Sequence, residues 1–170
     1  MKRMLLAVAA GLLAFSGLAW ADGADHAKGC RLEGVFVSFN SSGDPVWTAG
    51  YTPLTASSGM TDAAFVGLDH TFGGWFPDAV RDTGLKGMWT RTGSNTFAVT
   101  LLSIAADAAG APQYSVKFTG TYTLSGKCDK LHIELTGGIY LLGMNPLVDE
   151  PVLTFPLEEY AYAIKAPAAR

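Results

Sequence analysis

The chain has 170 residues, of which 49% are hydrophobic and 16% charged, and a formal net charge of −3. This length suits one domain with a substantial buried core. The sequence has no run of basic residues that could bind along a phosphate backbone, which argues against a nucleic acid as partner.

The first 21 residues predict a cleavable secretory signal peptide. Lys2 and Arg3 form a short positive region, and residues 4–18 are almost wholly apolar. Ala19-Trp20-Ala21 then places small residues at the two positions that signal peptidase reads. The apolar stretch is shorter than the roughly 20 residues of a bilayer span, although an uncleaved anchor is the alternative. We therefore expect a periplasmic or secreted protein that keeps no stable membrane span after cleavage.

Cleavage would leave 149 residues, with ten basic and fifteen acidic side chains and a net charge of −5. The two cysteines, Cys30 and Cys128, would then lie in an oxidising compartment, where an even count predicts one disulfide. Two free thiols are the alternative. We expect a flexible tail at 22–29, one domain at 30–165 and a short C-terminal tail at 166–170.

Apolar residues alternate with polar ones along most of the domain, and glycine-rich turns separate the runs. The clearest run is 114–124, where one face carries only apolar side chains and Gly120, and the other carries polar ones. The predicted strands are 31–39, 46–52, 63–72, 85–92, 96–105, 114–124, 131–136, 139–142, 152–155 and 159–165.

Many short strands with mostly short connections favour an antiparallel up-and-down barrel, with a sandwich as the alternative. No segment of the domain has helical periodicity over three turns. The longer connections are predicted to cluster at the ends of the barrel, and they are 40–45, 53–62, 73–84 and 143–151.

Three short segments resemble motifs of known barrel families. Residues 87–97, Gly-Met-Trp-Thr-Arg-Thr-Gly-Ser-Asn-Thr-Phe, are similar to a hairpin of secreted lipocalin-like (calycin-type) proteins. Residues 32–36 resemble the Gly-x-Trp opening of lipocalin barrels, with Phe36 in place of the tryptophan. Residues 136–138, Thr-Gly-Gly, are similar to a segment of allene-oxide-cyclase-like barrels. The lipocalin resemblance covers 31–136 and implies one all-β barrel of about eight strands, in a fold that hosts carriers, inhibitors and a few isomerases.

Aromatic residues supply the candidates for a ligand site. Trp75 and Phe76 lie in a predicted loop, either as a cap on the barrel or as a mobile lip over a cavity. Together with Trp89, Tyr122 and Tyr140 they form the ligand-binding set that we expect.

Titratable residues offer one candidate cluster. His132 and Glu134 share a face of their strand, whereas Asp69 and His70 are adjacent on another predicted strand. If His70 met His132 across the barrel, Glu134 would complete a zinc or acid–base cluster. The alternative is an exposed polar face.

Other catalytic patterns are missing from the sequence. Neither a G-x-S-x-G serine motif nor a phosphate-binding glycine loop occurs. The adjacent carboxylates Asp149-Glu150 and Glu158-Glu159 are interpreted as solubilising charge. We therefore predict no catalytic residue, no metal ligand and no cofactor.

The sequence thus favours an exported, soluble β-barrel that binds a small apolar ligand in or at its mouth. Three alternatives stay open: an isomerase- or cyclase-type enzyme, a structural or interaction domain with a filled core, and an eight-stranded outer-membrane barrel. The ligand and the oligomeric state are left open.

Overall fold

The structure is a computed structural model that describes residues 29–39, 42–65 and 69–165. The predicted signal peptide, residues 22–28 of the predicted tail, and residues 166–170 lie outside these ranges. The strands are β1 (Gly34–Phe39), β2 (Pro45–Pro53), β3 (Ser58–Phe65), β4 (Arg81–Asp82), β5 (Leu85–Arg91), β6 (Thr96–Ala106), β7 (Pro112–Ser125), β8 (Lys130–Leu141) and β9 (Leu153–Ala163). Within the described ranges, no helix is long and apolar enough to cross a membrane.

Eight of the strands close into an antiparallel up-and-down barrel. Each strand pairs with the next along the chain, except that β3 pairs directly with β5, and β9 returns to pair with β1. The short β4 only adds two residues to the end of β6. This architecture confirms the predicted fold class.

Alternation along the strands gives the barrel an apolar interior. In β7 the buried positions are Tyr114, Val116, Phe118, Tyr122 and Leu124, which are the residues that the sequence places on one face. In β6 the buried set is Phe97, Val99, Leu101, Ser103 and Ala105. The period of two therefore puts a continuous layer of apolar side chains inside the barrel.

Two predicted strand boundaries are wrong around β3. The strand is Ser58–Phe65 rather than 63–72, so Asp69 and His70 lie in a turn and not on a strand. The preceding connection is a tight turn, in which Leu54 and Thr55 donate their backbone N–H groups to the carbonyl of Ser58. The predicted long connection at 53–62 is therefore replaced by four residues at 54–57.

Glycine and proline residues suggested breaks where the strands in fact continue. β8 runs through Gly137, and only a glycine fits there, because a Cβ atom would lie 2.4 Å from the ring of Phe155. β9 runs through Pro156, which lies in a stretch without a partner on the β1 side, since β1 pairs only with 161–163. A proline is tolerated there because no ladder partner on that side needs its missing N–H.

The two ends of the barrel differ. One end carries the tight turns 54–57, 92–95 and 126–129 and is covered by the segment before β1, whose Leu32 is fully buried. Arg91 fastens that segment, donating from Nη2 to the carbonyl of Cys30 at 2.6 Å. A disulfide joins Cys30 to Cys128 with a Cα–Cα distance of 5.4 Å, which confirms the predicted pairing.

The other end carries the long connections and is open. Here β6 to β9, with 11 to 14 residues each, extend beyond β1, β2, β3 and β5, which have six to nine. The extension forms a concave wall. The described part of the connection between β3 and β5, residues 69–84, folds onto this wall.

Candidate functional site

The candidate site is a cavity of about 120 Å³ between the concave wall and the covering segment 69–84. Inward-facing residues of β6, β7 and β9 form the wall: Ser103, Ala105, Tyr114, Val116, Phe118, Phe155 and Leu157. The opposite side comes from β3, the covering segment and the start of β5: Phe65, His70, Phe72, Asp82 and Leu85.

The space exists because small side chains interrupt an aromatic wall. Phe118 and Phe155 pack edge to face, with ring centroids 5.6 Å apart. Ser103 and Ala105, on the neighbouring part of β6, are too short to fill the volume between those rings and the covering segment. A cavity of this size accommodates a molecule of about one aromatic ring, since an engineered apolar cavity of roughly 150 Å³ binds benzene.

A turn held by the Asp69 carboxylate forms the start of the covering segment. Asp69 accepts hydrogen bonds from the backbone N–H and the hydroxyl of Thr71 at 2.9 and 2.6 Å, and from the N–H of Gly73 at 2.9 Å. These bonds, with the Thr71 hydroxyl contributing most, lower the pKa of Asp69. Phe72 has a φ of +52°, and Gly73 and Gly74 follow with positive φ, which reverses the chain so that Phe72 turns back toward the wall.

Aromatic contacts seat the covering segment on β7 and β9. Phe72 packs against Tyr114 at 5.9 Å and Phe155 at 5.3 Å between ring centroids. Phe76 stacks on Tyr114 at 4.2 Å, and the Tyr114 hydroxyl donates to the carbonyl of His70 at 2.8 Å. Arg81 fastens the far end of the segment by donating to the carbonyls of Asp107 and Ala108.

Four side chains with polar groups line this otherwise apolar cavity: His70, Asp82, Tyr114 and Ser103. His70 Nε2 lies 2.9 Å from Asp82 Oδ2, and the other oxygen of Asp82 accepts the N–H of Gly84 at 2.5 Å. Burial, followed by the charges of Asp82 and Asp69, raises the pKa of Tyr114 to about 12. Ser103 is 8% exposed, and among the described residues its hydroxyl has no hydrogen-bond partner.

Deeper in the barrel, a smaller space of about 20 Å³ reaches Trp47 and Tyr122. Near these residues lies Glu159, which faces the interior and accepts hydrogen bonds from Trp47 Nε1 and, at 3.1 Å, from Ser38 Oγ. Burial is the main cause that raises the pKa of Tyr122 to about 12, and Glu159 adds to it. The interpretation of Glu159 as a solubilising surface charge was therefore wrong, because it shares its face with Leu157 and Ala161 rather than with Glu158.

The five predicted ligand residues lie in different places. Phe76 covers the open end through Tyr114, whereas Trp75 is 63% exposed. Tyr122 lines the deeper space. Trp89 is buried in the closed half, edge to face with Phe97.

Tyr140 is buried too, but on the outer side of β8. There Lys117 lies over its ring and donates to the carbonyl of Pro146 in the 142–152 connection.

The predicted His70–His132–Glu134 cluster does not form. His132 lies on the outer face of β8, stacked on Tyr160 at 4.6 Å and 3.1 Å from Glu158 Oε1. Glu134 is exposed on the same face. His70 is at the open end and pairs with Asp82 instead. In the described ranges no three His, Cys, Asp or Glu side chains are grouped so that they could hold a metal ion.

Sequence reasoning missed Asp82, Ser103 and Glu159 as interior groups. For Ser103 a signal was present, since it alternates in phase with Leu101 and Ala105. For Glu159 the same signal was hidden by Pro156, which made β9 look like two strands. Asp82 had no signal, because its position depends on how an irregular segment folds onto the wall.

No protein-family model, curated protein or solved structure matches the chain.

Proposed function

We propose that the protein is an exported barrel that binds a small apolar molecule in the cavity at its open end. The observation that carries this proposal is the cavity of about 120 Å³ enclosed by aromatic and aliphatic side chains. Cavities lined mainly by apolar side chains with a few polar groups are typical sites for small apolar molecules.

The distribution of charge supports a barrel whose outside faces water. Exposed ion pairs lie on or beside the outer face, such as Lys86 with Asp62 at 2.5 Å and Lys165 with Asp129 at 2.9 Å. A barrel embedded in lipid has the reverse arrangement, with an apolar belt outside and a polar interior.

The closed meander of eight strands with an apolar interior supports the resemblance to lipocalin-like barrels. A fold of this kind does not determine an activity, so the binding proposal rests on the cavity and not on the resemblance. Export is supported by the Cys30–Cys128 disulfide, which persists in oxidising compartments. Mass spectrometry of the protein recovered from the periplasm or the medium should give a chain that begins at Asp22, and an intact Met1 would contradict export by cleavage.

A second candidate, a proton-transfer enzyme of the isomerase type, is favoured by one observation. The His70–Asp82 pair lies 2.9 Å apart at the wall of the apolar cavity, where a histidine is able to act as a general base. The two candidates differ in product. A carrier returns its ligand unchanged after incubation, whereas an isomerase returns a rearranged molecule, and replacing His70 by alanine would abolish that rearrangement.

The binding proposal is tested by filling the cavity. Ala105→Leu places three additional carbon atoms in the cavity, whereas Ala98→Leu, on the same strand, adds them on the exposed outer face. We expect calorimetric titration of the mature protein with benzene to show binding in the wild type and in Ala98→Leu, and a loss of at least about tenfold in affinity in Ala105→Leu. Equal benzene affinity in all three proteins would refute the proposal.

A further inference from the structure

The cavity at the open end contains one hydroxyl group that the fold leaves unpaired. Ser103 lines the cavity, and its side chain is more than nine-tenths buried. Its Oγ has no hydrogen-bond partner in the described part of the chain. Alternation along β6 points this side chain to the interior, between Leu101 and Ala105. The hydroxyl therefore cannot reach solvent on the outer face of the strand.

A buried hydroxyl without a partner destabilises a protein, because it has lost its hydrogen bonds to water and gained none in the fold. Buried polar groups are therefore nearly always paired with protein, water or ligand. Among the described residues, no other side-chain group without a hydrogen-bond partner lines this cavity. Ser103 thus leaves a hydrogen-bonding group in the lining of the cavity that no other described residue satisfies.

The walls and the volume define the rest of that molecule. Five aromatic rings surround the cavity, and they are Phe65, Phe72, Tyr114, Phe118 and Phe155. Aromatic rings pack favourably edge to face on other rings, and this adds to the stabilisation from the apolar area that they bury. With about 120 Å³ available, the molecule is limited to about one ring with a small substituent.

The charges at the cavity determine which kind of polar group a bound molecule would carry. Asp82 lines the cavity from the covering segment, which also carries Asp69, and both carboxylates disfavour a negative charge on the Tyr114 hydroxyl. His70 Nε2 lies 2.9 Å from Asp82 Oδ2 on the same side of the cavity. A carboxylate on the ligand would meet the same negative potential, whereas a neutral hydroxyl would not.

We propose that the cavity at the open end is selective for a neutral one-ring molecule that carries a hydroxyl group, a phenol or an aryl alcohol, and that Ser103 forms the hydrogen bond to that hydroxyl. This inference rests on the proposed binding function. It adds the class of ligand and the residue that recognises it.

The test compares three probes, benzene, phenol and benzoate, by calorimetric titration of the mature protein at pH 7. Two variants accompany the wild type: Ser103→Ala, which removes only the hydroxyl, and Thr100→Ala, which removes a hydroxyl from the exposed outer face of the same strand. We expect Ser103→Ala to weaken phenol binding about threefold to tenfold and to leave benzene binding unchanged. Thr100→Ala should change neither affinity, and benzoate should bind more weakly than phenol.

The outcomes separate the two proposals. If benzene and phenol bind to the wild type but Ser103→Ala changes both equally or neither, the assignment of Ser103 is wrong and the binding function stands. Benzoate binding at least as tight as that of phenol would overturn the preference for a neutral group. If neither benzene nor phenol binds, the proposed function fails, and the selectivity fails with it.

Discussion

At the scale of single residues, the unusual feature is a carboxylate inside the barrel. Glu159 accepts hydrogen bonds from Trp47 Nε1 and Ser38 Oγ, and so it links β9 with β2 and β1 at the seam where the barrel closes. The seam needs such a link because β1 and β9 pair over only three residues. Two donors compensate Glu159 for part of the solvation that it loses.

Replacing Glu159 with leucine removes the acceptor and leaves the indole N–H of Trp47 and the hydroxyl of Ser38 buried without a partner. We expect the free energy of unfolding to fall by about 1–3 kcal/mol, measured by urea denaturation. The neighbouring Glu158→Leu is the control, since Glu158 faces outward to His132 and should contribute less than about 1 kcal/mol. An equal effect of the two substitutions would show that Glu159 does not stabilise the seam.

At the scale of elements, the covering segment 69–84 determines whether the barrel has a cavity at all. Its conformation depends on the turn at Asp69 and on the contacts of Phe72 and Phe76 with Tyr114. Part of the segment is therefore the cap that the aromatic pair at 75–76 suggested, but Phe72 rather than Trp75 faces the wall.

The turn at Asp69 should depend on pH. Because its hydrogen bonds lower the pKa of Asp69, they stabilise the turn above the ordinary value of 3.8 and are lost as the pH falls through the lowered value. In an NMR titration, the backbone amide resonances of Thr71 and Gly73 should shift together with a midpoint below 3.8. Asp69→Asn should abolish this titration. A midpoint at or above 3.8 would contradict the proposed turn.

The barrel strands were more predictable from the sequence than the covering segment was. Alternation identified the interior face of β7, from Tyr114 to Leu124, because burial in a barrel follows the period of two directly. No repeating pattern in the sequence predicts the Asp82–His70 contact, because it arises where an irregular segment folds back onto distant strands. Glu159 was missed as well, because Pro156 concealed the continuity of β9 and the large side chains of Tyr160 and Tyr162 lie on its exposed face.

At the scale of the whole molecule, one covalent link supports the closed end. The disulfide joins the segment before β1 to the turn between β7 and β8, across 98 residues of chain. Arg91 and Asn95 hold the same segment, through the carbonyl and the N–H of Cys30. The closed end is thus fastened independently of the open end, where the cavity lies.

Removing this link should destabilise the whole barrel. For a loop of this length we expect the double variant Cys30→Ala/Cys128→Ala to lose about 2–5 kcal/mol of unfolding free energy in urea, mainly because its unfolded chain is less constrained. Chemical reduction of the wild-type protein should give a similar loss. A change below about 0.5 kcal/mol would mean that the disulfide does not limit the unfolded chain.

The central claim is that an accessible apolar cavity lies between the concave wall and the segment 69–84, and a crystal structure of the mature protein under xenon pressure tests it most directly. Xenon enters dry apolar cavities of this size without needing a polar partner. We predict xenon density beside Phe118, Phe155 and Ala105 in the wild type and none there in Ala105→Leu. A wild-type structure whose side chains fill this space, with no xenon between the wall and the covering segment, would contradict the claim.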